Sequence, residues 1–363
     1  MGTLRLLLAI GVIAEHAGIA IGVGSFTAVE AFFMLSGFYM SLILSNGTYR
    51  TLPFYLSRAL RIFPVFWLAM ACAALYYWIA SSMFGVSTYG SRGFASVWSE
   101  AGSVELKAWY AAASTTLVGA DAGMFFNHNG GQAAFSLLMP TIWTLSLEIY
   151  FYALCPLLIR LRSHWLILIV LVLTGARVAA YVAGLDAEPW HARFFPFELV
   201  YFLLGMLAHR WTQHLTLSGR MSKTWVVLLS LPLVVAAVLT FGFYQLVQLF
   251  GWPPVYEQPA YLLSLVYCTA VFLSLPLLFH LTRNSRLDSY LGEYSYPLYL
   301  FHYMFVEIFG HSRILESWTG FLVVLGLSLV HAVIAIHLIQ IPLDRYRRRR
   351  LRSASAQAAA TPS

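Results

Sequence analysis

The chain has 363 residues, of which 60% are apolar and only 10% are Asp, Glu, Lys or Arg, against roughly a quarter charged in an ordinary soluble domain. So few charges, with a mean hydropathy of +0.73, cannot cover a water-facing surface. A water-soluble enzyme is excluded, and lipid must solvate most of the exterior.

A helix needs about 20 apolar residues to cross the hydrocarbon core. Runs of that length, bounded by charge or by Gly, Pro and Asn clusters, predict about ten transmembrane helices, over 4–23, 27–46, 63–84, 137–159, 164–184, 195–209, 224–244, 259–280, 295–311 and 317–341. The expected fold is an all-α polytopic membrane bundle. Met1 to Thr3 lead into an apolar stretch without a clear small-residue cleavage site, so a retained first span is expected rather than a removable signal peptide. Between spans three and four, residues 85–136 are rich in Gly, Ser, Tyr and Trp (SRGFASVWSE, FFNHNGGQ), and are expected to form a loop or short interfacial helices over the bundle. Residues 1–346 make up the transmembrane unit. The end, 347–363, reads as a basic, disordered cytoplasmic tail.

Orientation follows from the basic residues, because cytoplasmic loops retain positive charge. With ten spans, 17 of the 22 Lys and Arg fall on one side, and only Arg92, Lys107, Arg177, Arg193 and Arg313 fall on the other. Both termini are therefore expected in the cytoplasm. Much of the net charge of +7 comes from the run RYRRRRLR, which suits anionic lipid headgroups; nucleic acid is not an expected partner. Cys72, Cys155 and Cys268 each stand alone in apolar runs, so neither a disulfide framework nor a metal site is expected.

Ionisable groups at bilayer depth are costly, and each is a functional candidate by default. They are Glu15 and His16 in span one, Glu30 in span two, Glu148 in span four, His302 and Glu307 in span nine, and His331 and His337 in span ten. His331 and His337 lie near the end of their span and read as groups that bond between helices. At 1.5 Å per residue, His16 lies about 16 Å above Arg5 and Glu148 about 18 Å above Arg160, which brings both near the midplane. An imidazole and a carboxylate at one depth suit a general-base pair: the carboxylate orients the ring, and the free nitrogen takes a proton from a hydroxyl. Glu15, Glu30 and Glu148 are all candidates for that carboxylate.

In FYLSRALRIFPVFWL, Arg58 and Arg61 are three residues apart on a short helix expected to run into span three, so both guanidinium forks project from one face. Such a pair grips phosphate, with Tyr55 and Phe63 as candidate flanks for a planar base. By itself the pair is also what the positive-inside rule gives at a cytoplasmic span end.

Several strings together resemble the acyltransferase 3 family of bacterial integral-membrane O-acyltransferases. Arg5 and His16 fit its Arg-x10-His pattern, VEAFFMLSGFYM at 29–40 its second-helix signature, and Arg58 with Arg61 its R-x-x-R motif. WTLSLEIYFYALCPLL at 143–158 and LGEYSYPLYLFHYMF at 291–305 are similar to later signatures. Glu30 stands where relatives often carry Asp. The resemblance implies a multi-pass protein of the bacterial inner membrane and a cytoplasmic acyl-CoA donor, acetyl-CoA being the expected co-substrate. It implies a glycan or lipid-linked saccharide acceptor, His16 as the catalytic histidine, and Arg5, Arg58 and Arg61 as donor-binding residues. Ser36, Trp143, Ser146, Tyr296 and His302, within those strings, become candidate substrate-binding residues.

On this reading the donor phosphates rest on Arg58 and Arg61 and the pantetheine arm reaches His16, a distance comparable to half the hydrocarbon thickness, about 15 Å. Direct attack by a hydroxyl and a ping-pong route through an acyl-histidine are both open. A secondary transporter would share the buried ionisable groups, but should show a repeat between its halves, and no such symmetry is visible. A noncatalytic scaffold would leave Arg58, Arg61 and His16 replaceable.

Overall fold

The structure is a computed structural model, and it describes all residues except 46–50, 101, 129, 186, 217–220, 250–257, 311–314 and 347–363; of 258–261 the backbone alone is described. The predicted tail over 347–363, with Arg50, Arg220 and Arg313 of the charge count, lies outside the described residues. In chain order the helices are α1 (Gly2–His16), α2 (Ser25–Ser45), α3 (Thr51–Phe84), α4 (Tyr89–Trp98), α5 (Val104–Thr116), α6 (Trp143–Leu158), α7 (Ser163–Val182), α8 (Phe195–Leu215), α9 (Lys223–Leu249), α10 (Gln258–Thr282), α11 (Arg286–Phe309) and α12 (Trp318–Ala335). A two-stranded antiparallel ribbon pairs Asn127 with Gln132 and His128 with Gly131.

The fold is all-helical apart from this ribbon, and each predicted span overlaps a helix. Among the described residues, seven segments are long and apolar enough to cross a membrane: α2, α3, Pro140–Leu158 around α6, α7, α9, Leu262–Thr282 in α10, and Trp318–Tyr346 around α12. The protein is an integral membrane protein. Three of the ten predicted spans do not meet that measure. Helix α1 has 15 residues, roughly 22 Å of rise against about 30 Å of hydrocarbon. Helices α8 and α11 carry several polar and charged side chains on faces turned into the bundle, among them Glu198, His209, Asp288, His302 and Glu307, all buried.

Two boundaries differ from the sequence expectation. The apolar run at 4–23 does not continue as helix past His16, because Gly18 and Gly22 adopt φ of +78° and +80°, a left-handed backbone that glycine reaches without a Cβ penalty. His16 therefore sits in the last turn of α1, beside a loop rather than within a long helix. The second difference is at α3, which starts at Thr51 and runs unbroken through Arg58, Arg61 and Pro64 to Phe84. The two arginines are thus rigidly continuous with the span. The segment 85–136 folds largely into α4, α5, short 3-10 turns and the ribbon, and Glu307 of α11 fixes it by accepting the Tyr89 N–H of α4 at 2.7 Å.

Lipid gives no hydrophobic drive between helices, so close packing carries the bundle. At the α2–α8 crossing a Cβ on Gly37 would sit 1.9 Å from the Phe202 carbonyl oxygen, and one on Gly205 would sit 1.9 Å from that of Met34. The two backbones touch, and this fixes the rotation of α2 that turns Ser36 inward. At one end of α1, Asp288 accepts the Gly2 N–H at 2.7 Å and the Thr3 N–H and hydroxyl at 2.9 Å. A carboxylate from α11 thereby satisfies orphan donors of a helix start.

Candidate active site

Three cavities run through the bundle along α1. The first, about 310 Å³, is lined by Arg5, Ser36, Tyr39, Arg58, Arg61, Glu148, Tyr152, Glu293 and Tyr296, among others. It gathers the start of α1, the later part of α2, the first turns of α3, the middle of α6 and the start of α11. Three guanidinium groups face two carboxylates here. Arg61 pairs with Glu293 at 3.2 Å, Arg58 is buried with Nη2 3.3 Å from the Ser57 hydroxyl, and the Arg5 guanidinium lies 5.7 Å from the Tyr39 ring centre. Glu148 is already held, accepting from Ser36 Oγ at 2.8 Å and Tyr152 Oη at 2.5 Å. Three arginines, Arg58 buried and Arg5 and Arg61 half-buried, against two carboxylates make this chamber a ready anion site.

A middle cavity of about 60 Å³ shares Arg5, Ser36, Glu148 and Tyr296 with the first, and adds Val29, Thr144 and Tyr299. Val29 and Tyr299 also line the third, about 290 Å³, together with Glu15, His16, Phe135, Trp143, Glu188, Arg193 and Tyr303. The shared residues place the three cavities next to one another along α1, the smallest in the middle. Along the unbroken α1, Arg5 and His16 are separated by about 16 Å.

Beside the third cavity two histidines meet. His16 Nδ1 lies 2.8 Å from His302 Nε2, and His302 Nδ1 lies 2.7 Å from the Tyr299 carbonyl oxygen. A carbonyl only accepts, so His302 Nδ1 carries the hydrogen. In the neutral rings His302 Nε2 then accepts, and His16 Nδ1 must donate. His16 Nε2 is left as the lone-pair nitrogen of a ring that lines the cavity, the arrangement a general base needs. His302 is fully buried, and Tyr303 closes edge-on against His16 at 5.7 Å between ring centres.

None of the three carboxylates weighed as the orienting group bonds to His16. Glu15, adjacent in sequence, turns away: it accepts the Ser25 N–H, the Ser25 hydroxyl and, at 2.8 Å, the Tyr244 hydroxyl. It lines the His16 cavity while anchoring the first turn of α2. Glu30 lies elsewhere, with Arg177 at 3.5 Å and the Cys268 thiol at 3.4 Å, in a buried group that includes Glu198. Glu148 belongs to the basic chamber and the neck. A helix turns about 100° per residue, so neighbours in sequence such as Glu15 and His16 face different partners.

Of the candidate substrate-binding residues, Ser36 and Tyr296 line the first two cavities, and Tyr296 donates to the Ile62 carbonyl at 2.7 Å. Trp143 lines the His16 cavity. Ser146 lies outside the three cavities and bonds to the Leu117 carbonyl, tying α6 to the 85–136 segment. His331, read as a packing group, lies 2.8 Å from the Tyr76 hydroxyl.

Two residues in the site carried no sequence signal. Tyr299 supplies the carbonyl that sets the tautomer, and a backbone oxygen has no sequence mark. Arg193, which had counted only toward the charge bias, lines the His16 cavity with its guanidinium carbon 4.9 Å from the Trp143 ring centre.

Residues 2–337 match the Acyl_transf_3 family model, described as an acyltransferase domain, and the chain belongs to that family. It is a membrane acyltransferase. Neither the curated proteins nor the solved structures include a significant match.

Proposed function

We propose that the protein is a membrane O-acyltransferase of the bacterial inner membrane. It takes an acyl group, acetyl in the first instance, from cytoplasmic acyl-CoA to a hydroxyl of a glycan or lipid-linked saccharide. The CoA phosphates bind Arg58, Arg61 and Arg5, the pantetheine arm passes the neck at Ser36, Glu148 and Tyr299, and the thioester stops beside His16. His16 Nε2 removes the proton from the acceptor hydroxyl, which attacks the thioester directly. His302 is a positioning residue that keeps His16 in the Nδ1–H tautomer. This reading takes ten spans and cytoplasmic termini as its frame. Arg5, Arg58 and Arg61 then lie on the side where CoA is found, and His16 lies toward the other.

The observation that carries this reading is the lone-pair nitrogen of His16 at one end of a row of adjacent cavities whose other end holds three arginines. The size agrees, since about 16 Å of α1 separates Arg5 from His16. The test is calorimetry of acetyl-CoA with the purified protein in nanodiscs. Saturable binding is expected, weakened by Arg58→Ala and by Arg61→Ala and unchanged by His16→Ala, which abolishes transfer. Absence of binding by folded wild type, or full transfer by His16→Ala in membranes, overturns the reading.

A further inference from the structure

A further cavity, of about 490 Å³, takes no part in the mechanism above. It is a cleft in the 85–136 segment, between the first turns of α5 and the ribbon, and its volume is that of a small-molecule site. Two aromatic rings line it. Trp109 is half-buried and Phe126 is 37% exposed, and the two meet edge to face with ring centres 5.0 Å apart. The Trp109 indole N–H donates to the Gly119 carbonyl at 2.7 Å, and the ring lies so close over Gly123 that a Cβ there would sit 2.4 Å from Trp109 Cζ2. The platform is therefore fixed before any ligand arrives, which lowers the ordering cost of binding.

Beside the rings stand an exposed carboxylate, Glu105, an exposed amide, Asn127, and a half-buried imidazole, His128. Local structure sets their positions. Ser103 caps α5 by accepting the Leu106 N–H at 3.2 Å, and hydrogen bonds from the Glu105 backbone N–H and the Ser103 hydroxyl hold the Glu105 carboxyl below its usual range. The ribbon pairs Asn127 with Gln132, and the Ser96 hydroxyl lies 2.9 Å from His128 Nε2.

We propose that this cleft is a saccharide-binding site, which holds a non-reacting part of a neutral glycan acceptor outside the His16 cavity. The inference rests on the acyltransferase reading above and deepens it by giving the acceptor a second point of attachment. A pyranose ring has an apolar C–H face that packs on an aromatic ring and a rim of hydroxyls that both donate and accept. A carboxylate accepts from such hydroxyls, and an amide and an imidazole serve either role. Charge selects among ligands. The lining carries Glu105 and, among the described residues, no Lys or Arg, so a phosphate, a uronic acid or an anionic lipid headgroup is repelled. An apolar chain would gain from the two rings but would strip water from Glu105 without replacing its hydrogen bonds.

The same piece of chain also serves the His16 cavity. The Phe126 carbonyl accepts the Ala133 N–H at 3.0 Å, which ties the cleft to the 3-10 turn Ala133–Ser136, and Phe135 of that turn lines the His16 cavity. One segment thus contributes to both sites. Binding energy from a remote part of a substrate can be spent on orienting the group that reacts.

The test applies the purified full-length protein in nanodiscs to a printed array of neutral and anionic oligosaccharides, followed by calorimetry with the neutral oligosaccharide that binds best. Acetyl-CoA binding on the same preparations reports on the acyltransferase reading separately. Trp109→Ala is expected to weaken saccharide binding by roughly 10- to 100-fold, the worth of one buried aromatic ring, with the acetyl-CoA Kd within about twofold of wild type. Should Trp109→Ala fail to fold, Glu105→Gln and Asn127→Ala change exposed side chains only, and each should weaken saccharide binding by roughly 2- to 10-fold. A wild type that binds acetyl-CoA but no neutral oligosaccharide, or anionic ones alone, overturns the cleft and leaves the acyltransferase reading intact. So does saccharide affinity that survives every one of these substitutions unchanged. Saccharide binding that the substitutions weaken, in a wild type that binds no acetyl-CoA, upholds the cleft and overturns the acyltransferase reading. Binding of neither ligand overturns both together.

Discussion

The two larger chambers along α1 are of similar size, about 310 and 290 Å³, but they are built to opposite plans. The first holds three arginines against two glutamates and is made from helix turns whose charges read directly in the sequence. The second holds a hydrogen-bonded histidine pair, a single neutralised arginine and a wall of aromatic rings, assembled from five distant stretches of chain. On the proposed function, the contrast lets one bundle bind and react in different places. Excess positive charge gives affinity for an anion and belongs where the donor docks. Neutral, pre-oriented groups favour a charge that exists only during the reaction, and belong where bonds change.

The largest expected effect separates the chambers outright. His16→Ala should reduce transfer by about 1,000-fold, the scale of a lost general base, yet leave acetyl-CoA affinity within twofold when both are measured on one preparation. A parallel loss of affinity would merge the two chambers into one site. Next comes the histidine pair. His302→Ala should cost roughly 10- to 100-fold in kcat, the range seen when a group that orients a functional histidine is removed. His302→Gln, whose amide oxygen still accepts from His16 Nδ1–H, should recover most of it. Equal loss in both variants would make His302 a packing residue.

In the basic chamber the effect should fall on affinity alone. Loss of a charge-assisted hydrogen bond costs about 1.5–3 kcal/mol, so Arg58→Ala should weaken acetyl-CoA binding by roughly 10- to 100-fold. Arg61→Ala should weaken it less, because Glu293 already shares that guanidinium. Salt should weaken wild-type binding and leave kcat at saturation unchanged.

The smallest expected effect concerns the scaffold that aligns the two chambers. Burial works to raise the Asp288 pKa, but hydrogen bonds from the first three residues outweigh it and hold the carboxylate down at about 2. A folded-state pKa below the unfolded value of about 3.9 gives stabilisation that is complete above both and is lost as pH falls toward 2. Asp288→Asn should therefore lower thermal stability in detergent at pH 7 by about 1 kcal/mol, the worth of a helix cap. The gap from wild type should close progressively in acid. A gap that persists below pH 2 would assign the effect to packing.

Much of the basic chamber was legible because Arg5, Arg58 and Arg61 are few, charged and spaced on helices. The histidine chamber was legible only in part. His16 was visible as an ionisable group in an apolar run, and Glu15 beside it invited a pairing that helix geometry directs elsewhere. His302 could be named as a candidate but not joined to His16, since 286 residues separate the two. The end of α1 at His16 was hidden because Gly18 and Gly22 read as apolar continuation, although their positive φ stops the helix. Arg193 was hidden because a loop arginine gives no sign of whether it faces water or a cavity.

By itself the sequence determined that this is a helical membrane protein, which runs could become helices, and which residues were too polar to face lipid without a reason. Those are consequences of solvent and local chemistry, and they act on each segment separately. Only the tertiary structure decided that His302 meets His16, that Glu15 and Glu30 serve other partners, and that the cavities lined by the arginines and by His16 both lie along α1. Such contacts depend on how helices rotate and cross, which backbone approaches such as Gly37 on Phe202 fix within fractions of an ångström, and no local rule carries that information.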